Sequence, residues 1–123
     1  MTEQNPEIGR SITIDGMTTN YHDVGEGPPV LLIHGSGPGV SAFANWRLTI
    51  RDLAPSFRLL APDMLGFGYT DRATDGVYTR ERWLDQLIGC LDAMDVDQVH
   101  VVGNSFGGSM ALALAIGHPE RVD

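Results

Sequence analysis

Residues 99–108 read Val-His-Val-Val-Gly-Asn-Ser-Phe-Gly-Gly, a short β-branched run that passes into Gly103-x-Ser105-x-Gly107 and then into the helix-forming stretch Ser109 to Ile116. Strand, sharp turn and helix in that order form the setting a nucleophile elbow requires. Gly103 lets the strand end close against the following helix, and Gly107 lets the helix backbone approach the sheet, so Ser105 is expected to project its hydroxyl from a strained turn. In a chain with 15 Gly, composition alone yields on the order of 0.1 such motifs, so the motif counts only with its context. Here the context is present.

A second loop lies upstream. Pro29-Val30-Leu31-Leu32-Ile33 is a continuous apolar run of the kind buried in parallel sheets, and it opens into His34-Gly35-Ser36-Gly37-Pro38-Gly39. Three glycines remove side chains that would cover backbone N–H groups, which suits a loop that binds a developing oxyanion or a phosphate. The phosphate alternative fits less well. A dinucleotide fingerprint wants Gly or Ala where Val40 stands, and a P-loop needs a lysine that the chain does not contain. With an elbow in the same chain, the amides of Ser36 and Phe106 are expected to converge on one oxygen.

The chain has 123 residues, enough for one domain with a single core. Eight Arg, no Lys and 16 acidic residues give a net charge of −8, which argues against nucleic acid or an anionic membrane as partner. The first fifteen residues hold no apolar segment behind a basic start, and no run approaches the roughly 18 apolar residues of a membrane span. A cytoplasmic location is expected. The single cysteine, Cys90, sits among Leu87, Ile88 and Leu91 on an apolar helical face and reads as core packing.

Ile8 to Asp15 alternate toward Asp15-Gly16, a hairpin signal leading into Met17 to Val24. After the buried strand, Ser41 to Leu53 place Phe43, Trp46, Leu48, Ile50 and Leu53 at partly helical spacing, and Phe57 to Ala61 form another strand. Asp63 to Thr70 is a glycine-broken loop. Arg82 to Met94 is an amphipathic helix with Trp83, Leu87, Leu91 and Met94 on one stripe, and the final helix must stop before Pro119. The order β-β-β-α-β-α-β-α implies an α/β fold: a mostly parallel sheet with an antiparallel hairpin at its start, helices on both faces, and ligands at the carboxyl ends of the strands. No repeat, low-complexity tract or linker divides residues 1–123.

Together these residues resemble an α/β-hydrolase. Asn20-Tyr-His-Asp-Val-Gly-Glu-Gly27, His34-Gly-Ser-Gly-Pro-Gly-Val-Ser-Ala42, Asn45-Trp-Arg47, Ala61-Pro-Asp-Met64 with Gly66-Phe-Gly68, and Gly103-Asn-Ser-Phe-Gly-Gly108 are similar to the meta-cleavage-product hydrolases, most of all the 2-hydroxymuconic-semialdehyde type. The resemblance implies hydrolysis of a carbon–carbon bond in an acidic 2-hydroxy-6-oxo-hexa-2,4-dienoate, without metal or organic cofactor. It makes Ser105 the catalytic nucleophile, Ser36 and Phe106 the oxyanion amides, and Ser36, Gly37, Asn45 and Asn104 the lining of the pocket for the polar end of the substrate. It leaves homo-oligomerisation of the full-length enzyme open.

In this fold the nucleophile is followed by an acid and then a histidine from later loops. His22, His34, His100 and His118 read as structural, and Asp63 as shaping its own glycine loop. The chain is therefore expected to be the amino-terminal part of a longer enzyme, holding the first five strands, with the last strand an unpaired apolar edge. Two alternatives stay open: a carboxylesterase of the same fold, and a catalytically inert truncated or binding module.

Overall fold

A computed structural model describes residues 5–123 of the chain. Its elements are β1 (Arg10–Ile14), β2 (Met17–Val24), β3 (Pro29–Ile33), α1 (Ala42–Leu53), β4 (Arg58–Pro62), α2 (Arg80–Ala93), β5 (His100–Gly103) and α3 (Phe106–Gly117), with a 3₁₀ turn at Pro119–Arg121. This is the order the sequence implies. Asp15 and Gly16 have φ of 50° and 78°, the left-handed pair that a tight two-residue hairpin demands.

The five strands form one sheet in the order β1-β2-β4-β3-β5. The β1–β2 and β2–β4 pairs are antiparallel, and β3 pairs in parallel with both β4 and β5. The central strands β3 and β4 are apolar apart from Arg58 at the start of β4, because both their faces are covered. Leu31, Ile33 and Leu60 point into a core shared with Leu87 and Leu91 of α2 and Met110 and Leu114 of α3. Val30, Leu32, Leu59 and Ala61 point the other way, onto Ala42, Trp46 and Ile50 of α1. Cys90 is fully buried, and burial pushes its thiol up to about 12.

Three expectations need adjustment. Leu48 and Leu53 are 51% and 38% exposed, because the buried stripe of α1 steps by four through Ala42, Trp46 and Ile50 and Leu48 falls on the opposite side. α3 begins at Phe106, directly after the serine, and not at Ser109. The edge strand is not wholly unpaired: Val99 N–H donates to Arg121 O at 2.9 Å, and Asp123 N–H donates to Val99 O at 2.8 Å. Beyond that bridge no described residue pairs with the edge, and Val102 of β5, with Leu112 and Ile116 of α3, is 44%, 66% and 81% exposed.

Candidate active site

The parallel topology brings the loops after β3, β4 and β5 to the same edge of the sheet, at the carboxyl ends of those strands. Among the described residues, α1 and α2 are capped in the ordinary way. Ser41 before α1 (φ −138°, ψ 167°) and Thr79 before α2 (φ −129°, ψ 159°) each accept, on the side-chain oxygen, the N–H of the residue three further on. Ser105 holds the same position before α3 but sits at φ 55°, ψ −108°, and its hydroxyl caps nothing. Its carbonyl takes over, accepting the N–H of Gly108 at 2.9 Å and of Ser109 at 3.2 Å. The side chain is left exposed at the head of the helix, held there by a backbone conformation worth about 1–3 kcal/mol of strain.

The neighbouring glycines explain why the turn persists. A Cβ on Gly103 would collide with the Gly107 carbonyl oxygen, and one on Gly107 would collide with Ile33 O at the end of β3. The elbow is therefore packed directly onto the root of the glycine loop. Asn104 N–H donates to Ile33 O at 3.1 Å, and Asn104 Nδ2 donates to Asn45 Oδ1 at 3.0 Å. That same oxygen accepts the Gly35 N–H at 2.9 Å. Asn45 is thus not a solvent-facing residue of the helix start; it is half-buried one turn into α1 and joins both loops.

Past Gly35 the loop is open. Ser36, Gly37, Pro38 and Gly39 are exposed, and among the described residues neither the Ser36 nor the Phe106 backbone N–H is taken up by an acceptor within the protein. The Phe106 ring is anchored instead, edge-on to Trp83 with centroids 4.8 Å apart and against Phe67 at 5.7 Å. Gly37 also lines a cavity of about 350 Å³ shared with Ser41, Phe67 and Arg72. Such an arrangement can present a hydroxyl and unpaired amides to a polar substrate.

The histidines do not serve the serine within this chain. His22 is buried on β2 with Nε2 3.2 Å from Glu7 O, and His100 and His118 face Asp123 and Glu120 at 3.6 and 3.5 Å. His34 is fully buried, and burial holds its pKa below the ordinary value against the smaller opposing effects of the Gly35 carbonyl and Asp63. Asp63, also fully buried, accepts from Tyr69 N–H at 2.9 Å in its own loop, as its sequence setting implies. It reaches further than expected, to Ala42 N–H at 2.7 Å and Asn20 Nδ2 at 2.9 Å. Thr70 and Gln86 complete this buried polar group by donating to Asp63 O. Their only local signal is polarity amid apolar neighbours, because the partners lie 7 to 43 residues away. Among the described residues no group of three His, Cys, Asp or Glu could hold a metal, and no helix is long and apolar enough to cross a membrane.

Fold and turn together define a class: the chain belongs to the α/β-hydrolase fold family, whose model matches residues 28–123. Within it the chain is similar to several meta-cleavage product hydrolases. The chain is 58% identical to 2-hydroxymuconate semialdehyde hydrolase from Pseudomonas sp. (strain CF600), over 98% of this chain and 42% of that protein. It is 53% identical to 2-hydroxy-6-oxo-2,4-heptadienoate hydrolase from Pseudomonas putida, over 99% of this chain and 44% of that protein. A meta-cleavage product hydrolase from Pseudomonas fluorescens IP01, solved as a serine-to-alanine mutant complexed with acetates, superposes with a TM-score of 0.94 at 58% identity, covering 97% of this chain and 44% of that one. The chain thus spans less than half the length of these relatives.

Proposed function

We propose that this chain carries the nucleophile and the oxyanion-binding half of a hydrolase that cleaves a carbon–carbon bond in a 2-hydroxy-6-oxo-hexa-2,4-dienoate. The observation that carries the reading is Ser105: an exposed hydroxyl at φ 55° that caps no helix, set beside a glycine loop with unpaired amides. The relatives' names supply the substrate class, and the Pseudomonas fluorescens enzyme is solved in complex with acetates, which are themselves carboxylates.

In this reading Ser105 attacks the C6 carbonyl or directs water onto it. The Ser36 and Phe106 amides hold the resulting oxyanion, each such donor lowering the barrier by about 2.7–4 kcal/mol. Water supplies the balance: its hydroxyl joins C6, directly or by hydrolysing the acyl-serine, so that C6 ends as a carboxylic acid and Ser105 is freed. The electron pair of the broken C5–C6 bond returns to the dienoate, which takes up a proton. Asn45 and Asn104, with Ser36 and Gly37, hold the carboxylate and adjacent oxygen through neutral donors that add no competing charge. The acid and the histidine that activate the serine come, in this proposal, from later strands of a longer single domain of which residues 1–123 are the amino-terminal part. It is a cytoplasmic enzyme with no metal or organic cofactor.

The test is substrate choice in the complete protein. Turnover of a dienoate and of a neutral p-nitrophenyl ester is measured before and after Asn45→Ala with Asn104→Ala. Dienoate turnover should fall at least about tenfold further than ester turnover, one lost hydrogen bond to a charged group being worth about 1.5–3 kcal/mol. Equal losses favour a general carboxylesterase.

A further inference from the structure

The segment between β3 and α1 is gripped at both ends by two consecutive residues of the loop after β4. At its start, His34 Nε2 accepts the Met64 N–H at 2.9 Å while Nδ1 donates to the Gly35 carbonyl at 2.6 Å, an arrangement that fixes the ring as the neutral Nδ1–H tautomer. At its end, Asp63 Oδ1 accepts the N–H of Ala42, the first residue of α1, at 2.7 Å. Between these anchors, exposed residues 36–39 form one backbone hydrogen bond within the loop, from Val40 N–H to Gly37 O at 3.2 Å.

The grip is itself immobilised. Asp63 N–H donates to Asn20 O of β2 at 2.8 Å, Asp63 O accepts from Thr70 Oγ1 at 2.7 Å and from Gln86 Nε2 of α2 at 3.1 Å, and the other carboxylate oxygen accepts from Asn20 and Tyr69. Both side chains are fully buried. Neither reaches the exposed amides.

A loop that must leave its amides unpaired has no internal means of aiming them, so direction has to be imposed at its ends. We propose that His34 and Asp63 are positioning residues: a two-point clamp that sets the Ser36 amide against the Phe106 amide. The inference rests on the hydrolase reading, since it gives the loop its catalytic purpose. It differs from a general packing role because the clamp acts on the aim of a donor that matters most in the transition state. A displacement near 1 Å there costs on the order of 100-fold in rate.

The experiment uses the complete protein and three variants: His34→Phe, which keeps an aromatic ring and loses both ring nitrogens; His34→Gln, which can still accept from Met64 N–H; and Asp63→Asn, which trades one acceptor oxygen for a donor. Dienoate kcat and KM are measured well below the melting temperature, alongside amide hydrogen exchange at Gly35, whose acceptor Asn45 is untouched. His34→Phe should lower kcat about 100-fold with KM changed less than about threefold. Gly35 should lose protection while the amides inside β3 keep theirs, and His34→Gln should recover about tenfold of the lost rate. A folded His34→Phe with unchanged kcat or an intact Gly35 amide overturns the clamp, as does a glutamine variant no better than phenylalanine. If His34→Phe does not fold, Asp63→Asn decides by the same two readouts, an unchanged kcat or Gly35 amide counting against. If the unaltered protein turns over no dienoate, the hydrolase reading falls by itself and Gly35 exchange still decides whether the clamp holds the loop.

Discussion

Asn104 of the elbow and Asn45 of α1 share one hydrogen bond at 3.0 Å, and through the same Asn45 oxygen the Gly35 amide is fixed at 2.9 Å. Three segments separated by up to 69 residues in sequence thus meet at one acceptor, which couples the shape of the glycine loop to that of the elbow. Asn45→Ala leaves the Gly35 N–H without its partner in a buried position, which costs about 1–3 kcal/mol. Asn104→Ala should cost less, since Asn104 is exposed. In a double-mutant cycle read by urea denaturation the two should be non-additive, whereas strict additivity argues that the contact has no energetic role.

The strain at Ser105 gives a second expectation. Ser105→Gly removes the penalty of φ 55° and should raise stability by about 1 kcal/mol while abolishing any serine chemistry. Ser105→Ala retains the penalty and should leave stability near that of the parent. Equal melting temperatures for the Gly and Ala variants count against a strained turn.

Neighbouring glycines should respond in opposite directions. Gly107→Ala drives a methyl into Ile33 O and should cost about 3 kcal/mol or prevent folding. Gly108→Ala meets only Gly103 atoms at 3.6 and 3.9 Å, ordinary contact distances, and should stabilise α3 by about 0.5–1 kcal/mol. Thermal melts of the pair check this directly.

His34 should make stability fall in mild acid. Its folded pKa lies below the 6.5 of an unperturbed ring because it is buried, so between those two values the unfolded chain binds a proton that the folded chain does not. The His34 contribution is therefore whole above about pH 6.5 and shrinks as pH drops beneath it. Urea midpoints at pH 7.5 and 5.5 should differ more in the parent than in His34→Gln, and the same difference in both argues against a neutral buried ring.

Cys90 should be silent toward thiol reagents. A fully buried thiol held near 12 presents almost no thiolate at pH 8, so an aromatic disulfide reagent should react only after denaturant is added. Prompt reaction in the folded protein places Cys90 at an accessible surface.

What could be read from the chain follows from how local each signal is. Asp15-Gly16, the apolar run of β3 and the Gly103-x-Ser105-x-Gly107 turn are set by neighbours a few residues apart, and they stand where the sequence places them. Asn45 and Asn104 drew notice only through resemblance to the meta-cleavage-product hydrolases, and nothing near Asn45 announces the hydrogen bond it makes 59 residues away. Asp63 was legible as a loop former through Tyr69, six residues on, but its hold on Ala42 and Asn20 depends on strand order, which periodicity does not encode. Leu48 misled because apolar residues at uneven spacing look helical without declaring which side is buried.

The most direct measurement is the site of covalent capture by a fluorophosphonate in the complete protein, mapped by peptide mass spectrometry while dienoate turnover is followed. The adduct should lie on Ser105, and turnover should disappear in proportion to its formation. Full turnover with Ser105 modified, or inactivation by an adduct on another residue while Ser105 stays free, contradicts the assignment of this hydroxyl as the nucleophile.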